Sequence, residues 1–180
     1  MERDVEVGVE RREVFEGRCQ CGQARYRITG ESVALFVCHC TECKHQSASA
    51  FGMALWIRKF SREMLGGALG SWVRTTPSGK QLIGEFCERC GSRLFHQMAD
   101  QADTMSIKPG TLDTALELEP VAHIWTSSAQ SWVQLPSSIL SYPANPPTFE
   151  EIFAAWRLQK EKVTALPRSA PQVPSNDPLK

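Results

Sequence analysis

The sequence has no surplus of either charge: 20 Lys+Arg stand against 20 Asp+Glu in 180 residues. That balance argues against a nucleic-acid partner or an anionic membrane surface, both of which call for a basic excess. No apolar run approaches the roughly 18 residues that cross a bilayer, so no membrane partner is expected. Met1-Glu2-Arg3-Asp4 does not lead into a signal-peptide core, and the expected location is cytoplasmic. No internal repeat is visible. The poverty of hydrophobic residues that marks a disordered chain is absent too, since 42% of residues are hydrophobic. A single domain with a buried core is expected at this length.

Cysteine is what the chain has in quantity. Its seven cysteines fall as Cys19-x-Cys21, Cys38-x-Cys40-x-x-Cys43 and Cys87-x-x-Cys90. An odd number in tight clusters, with no secretory signal, fits metal ligation better than disulfides. Zinc takes thiolates at about 2.3 Å in a tetrahedron, which requires sulfurs within roughly 4 Å of one another. Residues i and i+2 of an extended segment face one side, so Cys-x-Cys offers two sulfurs from a strand end. Cys-x-x-Cys does the same from a tight turn, where a following glycine relieves the backbone, as in Cys21-Gly22 and Cys90-Gly91.

This symmetry groups Cys19, Cys21, Cys87 and Cys90 into one closed, structural zinc site. Cys38, Cys40 and Cys43 remain, and three ligands with an open position make the catalytic zinc arrangement. Two zinc ions per chain follow. His39 is expected to point away from the face that carries Cys38 and Cys40. His45, two residues beyond Cys43, is the candidate that would close the second site. A closed site implies a non-enzymatic two-zinc scaffold or interaction module, and an open one implies an enzyme. His96 and His123 lie in strand-like segments and are expected to pack rather than ligate. A thioredoxin-like reading of Cys87-x-x-Cys90 fails on context, because strand-like residues 93–96 follow where a helix is needed.

Around these clusters the chain reads as mostly β. Residues 25–28 alternate, then the Thr29-Gly30-Glu31 turn leads to the apolar run 33–37, giving a first hairpin. Residues 71–74 and 81–86 flank Thr76-Pro77-Ser78-Gly79 as a second hairpin that delivers the chain into Cys87. Further strands are expected at 53–57, 94–95, 104–107 and 121–125. Residues 1–14 form a charged lead-in whose Val5, Val7 and Val9 alternation could add an edge strand. Phe149, Ile152, Phe153, Trp156 and Val163 recur at helical intervals, and Thr148 with Glu151 makes a capping box, so an amphipathic helix is expected at 148–164. Residues 165–180, punctuated by prolines, read as a disordered tail. Trp125 and Trp132 are candidates to line a pocket. Ser47, Ser49 and Phe51 follow the second cluster closely, and Lys44 or Arg58 could offset the charge of its thiolates.

Together, Gly17-Arg18-Cys19-Gln20-Cys21-Gly22, Cys38-His39-Cys40-Thr41-Glu42-Cys43, Ser47-Ala48-Ser49-Ala50-Phe51-Gly52 and Phe86-Cys87-Glu88-Arg89-Cys90-Gly91-Ser92 resemble the glutathione-dependent formaldehyde-activating enzyme family, shared with centromere protein V. Lys108-Pro109-Gly110-Thr111-Leu112-Asp113 and the segment from His123-Ile124-Trp125 to Trp132 look like its later motifs. The resemblance spans residues 15–140. It implies an Mss4-like arrangement of small coiled antiparallel sheets around zinc, with structural zinc on Cys19, Cys21, Cys87 and Cys90. It implies catalytic zinc on Cys38, Cys40 and Cys43, and a carbon-sulfur lyase-type activity. The reaction implied joins formaldehyde to the glutathione thiol, giving S-hydroxymethylglutathione, or runs in reverse.

Overall fold

The computed structural model describes residues 12–114 and 118–165. Its elements are β1 (Glu13–Arg18), β2 (Arg25–Cys38), α1 (Thr41–Ser47), β3 (Gly52–Gly66), β4 (Leu69–Thr75), β5 (Gln81–Cys87), β6 (Arg93–Met98), β7 (Thr104–Ile107), β8 (Ala122–Ile124), β9 (Leu140–Ser141) and α2 (Glu150–Ala165). Short 3-10 turns occupy Pro109–Thr111 and Thr126–Ser128. The mostly β expectation holds. The Val5, Val7 and Val9 alternation and the tail beyond Ala165 lie outside the described residues.

The strands form one mixed sheet in the order β4-β5-β6-β7-β3-β2-β8-β9, with β1 paired to β2. All pairings are antiparallel except β2 with β8 and β8 with β9, which are parallel. The second hairpin stands where expected: Thr75 pairs with Gln81, the Thr76 amide donates to the Lys80 carbonyl at 2.8 Å, and Gly79 takes φ +79.

The first hairpin is corrected. β2 runs straight through Thr29-Gly30-Glu31 as a 14-residue strand, and its register against β3 shifts between Thr29 and Glu31. A Cβ on Gly30 would lie 2.6 Å from Ile57 Cγ2 and 2.9 Å from the Arg58 carbonyl oxygen. The glycine serves a close approach of β3 at a bulge, not a reversal of the chain. Three elements were not anticipated. β1 has alternate residues exposed and is partly held by charge, with Arg27 on β2 contacting the Glu16 carboxylate at 2.7 Å. β9 is two residues long, and α1 replaces the tight turn expected after Cys40.

Tyr26, Ile28, Leu35, Leu55, Ile57, Leu94, Phe95 and Ile107 are fully buried between the strands. Helix α2 lies on β2 through Ile152 and Trp156, and the Trp156 indole donates to Ser32 Oγ at 3.0 Å. Phe149, at its start, packs on Trp56 with ring centroids 4.6 Å apart. The apolar stripe expected at 148–164 therefore meets the sheet, save the side chain of Val163, which lies outside the described residues. Glu151 accepts a hydrogen bond from the Tyr142 hydroxyl at 2.6 Å.

Candidate metal centres and the adjoining cleft

Cys19 follows β1, Cys87 closes β5 and Cys90 precedes β6, so the sheet brings distant segments to one point. The sulfurs of Cys19, Cys21, Cys87 and Cys90 all lie within 4.8 Å of one another. Cys19 and Cys21 are 3.4 Å apart and Cys21 and Cys87 3.9 Å. A tetrahedron of 2.3 Å bonds has edges of about 3.8 Å, so the spacing suits zinc. Gly22 at φ +73 and Gly91 at φ +72 occupy the left-handed region that lets each loop fold back. Their amides donate to Cys19 and Cys87 carbonyls at 3.0 and 2.8 Å. The Ser92 hydroxyl and amide hold the Cys90 thiol down to about 5, whereas Cys21, despite a lowering bond from the Gln23 backbone, is pushed up to about 11 by desolvation and the neighbouring sulfurs.

Cys38, Cys40 and Cys43 form a second group within the same 4.8 Å limit. Cys38 ends β2, and Cys40 caps α1, its sulfur accepting from the Cys43 amide at 3.4 Å. Hydrogen bonding from Cys38 and Cys43 holds the Cys40 thiol far below its ordinary range. The same contacts push Cys38 far up. Three adjacent thiols cannot all ionise without a cation among them. An all-thiolate donor set of this size fits a soft divalent metal such as zinc.

His39 is fully buried and turned away from the thiols, as expected. Its Nε2 lies 2.8 Å from His123 Nδ1. Burial lowers both imidazoles, and the charges of His123 and Lys44 lower His39 further. Ser128 Oγ donates to the His39 carbonyl at 3.1 Å, tying the 126–128 turn to the same segment. His45 is exposed and outside the thiol group; it lines a smaller cavity of about 220 Å³ that Cys43 also lines. Among the described residues, no histidine or carboxylate joins the three sulfurs.

The neighbouring cation is neither of those anticipated. The Lys44 ammonium donates to the Ser128 carbonyl at 2.8 Å, and Arg58 lies 4.5 Å over the Phe153 ring. Lys108 takes that place. It follows β7, whose Ile107 pairs with Leu55, and its ammonium reaches the Met53 carbonyl at 3.4 Å, beside the strand segment that pairs with Cys38. Burial brings Lys108 down to about 8, while the negative charge of Cys43, Cys38 and Cys40 pulls the other way. The Lys108-Pro109-Gly110 string was the available signal, but only the β3-β7 pairing gives it a neighbour.

The thiol group opens on a cleft of about 870 Å³ whose wall includes Lys108, Met53, Trp56, Trp125 and Phe149. Trp125 is held there at φ 59, a costly conformation for a large residue, with its indole donating to Asn145 Oδ1 at 2.8 Å. Trp132 is 69% exposed and does not line the cleft. Ser47 closes the loop after α1 by donating to the Phe51 carbonyl at 2.8 Å, and Phe51 sets its ring edge against His39. Ser49 is exposed. His96 does more than pack, since it faces the cleft.

Residues 14–128, more than half of the chain, match the family model described as glutathione-dependent formaldehyde-activating enzyme. A solved Rhodobacter sphaeroides protein is 21% identical, covering 55% of this chain and 88% of its own, with a TM-score of 0.42. No curated protein matches the chain.

Proposed function

The chain belongs to the glutathione-dependent formaldehyde-activating enzyme family, and from that membership we propose that it is a zinc-dependent carbon-sulfur lyase-type enzyme. Its substrates are glutathione and formaldehyde and its product S-hydroxymethylglutathione, or the reverse. Cys19, Cys21, Cys87 and Cys90 hold a structural zinc, and Cys38, Cys40 and Cys43 hold the catalytic one. The observation that carries this reading is that three mutually close thiols face an 870 Å³ cleft while His45 stands outside their group. The scaffold alternative depended on His45 as fourth ligand and has no such support.

Zinc held by Cys38, Cys40 and Cys43 would supply a preference for the thiolate over the thiol form of a substrate sulfur. The chain's residues do the rest. Lys108 offsets the negative charge that accumulates when a substrate sulfur ionises beside Cys38, Cys40 and Cys43. Trp56, Phe149 and Trp125 give the cleft an apolar wall. The His39-His123 bond fixes the backbone between Cys38 and Cys40. Holding both reactants in one cleft makes the encounter nearly unimolecular. The substrate sulfur adds to the formaldehyde carbon, a C–S bond forms, and the carbonyl oxygen takes a proton in place of the one the thiol lost. No oxidant or reductant is required.

A cytoplasmic location suits this chemistry, since cytosolic thiols are kept reduced. No described helix is long and apolar enough to cross a membrane.

Metal analysis combined with turnover tests the reading. Two zinc ions per chain and consumption of formaldehyde faster than in glutathione-containing buffer are expected. In cobalt-substituted protein, glutathione should strengthen the thiolate-to-metal absorption. An unchanged spectrum with glutathione, together with a changed one in His45→Ala, would replace the enzyme by the scaffold.

A further inference from the structure

Beside the thiols stands a group of cations that form no salt bridge among the described residues. His96 has Arg74, Arg93 and Lys108 around it, and it is half-buried between the large cleft and the 220 Å³ cavity, both of which it lines. Arg93 reaches His96 Nε2 with one guanidinium nitrogen at 3.4 Å and lies 5.6 Å over the Phe86 ring. It can do so because residue 84 is glycine: a Cβ there would overlap the Arg93 guanidinium. Across β5 and β6 His96 pairs with Gly84 and Arg93 with Phe86, beside a register shift at Glu85 and Phe86.

Among the described residues, none of Arg74, Arg93 and Lys108 takes part in a salt bridge, whereas Lys80 nearby is bonded to Asp100 at 2.8 Å. Glu42 is the sole carboxylate in the described lining of either cavity, and it bridges none of the three. Half-buried guanidinium groups with no counter-ion are costly to maintain in the folded protein. The two cavities adjoin, sharing Glu42, Cys43, Arg74, Leu82 and His96 in their walls.

We propose that Arg74 and Arg93 form an anion subsite that takes a carboxylate of the thiol substrate. This deepens the lyase reading and rests on it: the enzyme selects thiols that bear a carboxylate over neutral thiols. A guanidinium suits that group because its fork of N–H donors matches the two carboxylate oxygens. Gly84 belongs to the device as the space into which Arg93 folds.

Calorimetric titration of the zinc-loaded protein separates the two parts of the site. S-methylglutathione retains the carboxylates and lacks a free thiol, while 2-mercaptoethanol has a thiol and no carboxylate. S-methylglutathione should bind the unsubstituted protein, and Arg93→Gln and Arg74→Gln should each weaken it by about tenfold or more, with 2-mercaptoethanol binding unchanged. Arg74 lies on the edge strand β4, so its variant decides the matter if Arg93→Gln does not fold. Equal affinity for S-methylglutathione in a folded variant and the unsubstituted protein, or no binding to either, overturns the subsite. If glutathione and formaldehyde are still turned over in that case, the lyase reading stands without it. Arginine-dependent binding of S-methylglutathione in a protein that binds neither free thiol would instead uphold the subsite and end the lyase reading.

Discussion

His39 Nε2 lies 2.8 Å from His123 Nδ1, with the two rings 17° from parallel and their centroids 5.1 Å apart. The contact joins the residue between Cys38 and Cys40 to a strand that pairs with β2 in parallel, Cys38 opposite Ile124. Two cysteine positions thus depend on a hydrogen bond made on the far side of the segment from their sulfurs.

Removing that bond should be felt at the metal and in the fold. His123→Ala leaves His39 Nε2 buried without its partner, which costs about 1–3 kcal/mol. Urea unfolding should show the loss, with weaker metal retention at the three-cysteine group. An unchanged midpoint and metal content would show that the pair holds nothing in place.

The two cysteine groups should respond differently to substitution. Cys87→Ser or Cys90→Ser should give an unfolded or insoluble chain, because a structural zinc contributes on the order of 10 kcal/mol in small domains. Cys43 lies in, and Cys40 caps, a short helix with no buried residues. Cys40→Ser or Cys43→Ser should therefore leave a folded protein with one zinc fewer and no activity. Identical melting of all four variants would contradict the division into structural and catalytic sites.

Gly30→Ala should destabilise the protein by about 1–3 kcal/mol, since backbone and Ile57 block the added methyl group. Gly110, with nothing within 4 Å of an added Cβ, is the matched control and should tolerate alanine. Equal midpoints in denaturant for both variants would exclude a close approach at the β2 bulge.

His96 should make stability fall with acid. Burial first, then the charges of Lys108, Arg93 and Arg74, holds its imidazole down to about 2, whereas an unfolded histidine titrates near 6.5. Below about pH 6.5 the unfolded chain takes up a proton that the folded one refuses, so the contribution is complete above that pH and declines as pH falls toward 2. The limiting slope is about 1.4 kcal/mol per pH unit. His96→Gln should flatten the melting temperature between pH 6.5 and 5 relative to the unsubstituted protein; parallel profiles would exclude this role.

Residues close in sequence were the legible ones. The hairpin around Thr76-Pro77-Ser78-Gly79, the outward turn of His39 and the helix near 148–164 each follow from turn chemistry or periodicity over a few residues. The same local signs misled at Gly30, where a glycine between two apolar runs looks alike whether it turns the chain or admits a neighbouring strand. They were silent about Lys108 and Arg93, whose chemistry depends on residues far away along the chain.

What the sequence by itself determined is the family and the pairing of ligand types: Cys-x-Cys and Cys-x-x-Cys bring sulfurs together through backbone geometry that two or three residues suffice to set. Tertiary structure alone decided that β3 brings β7, and so Lys108, to the three-cysteine group, and that β8 runs parallel to β2 to supply His123. It also decided that β5 offers Gly84 beneath Arg93. Each of these depends on which strands pair and in what register, a choice made by burial across the whole sheet, where a shift of one residue would turn every side chain to the opposite face.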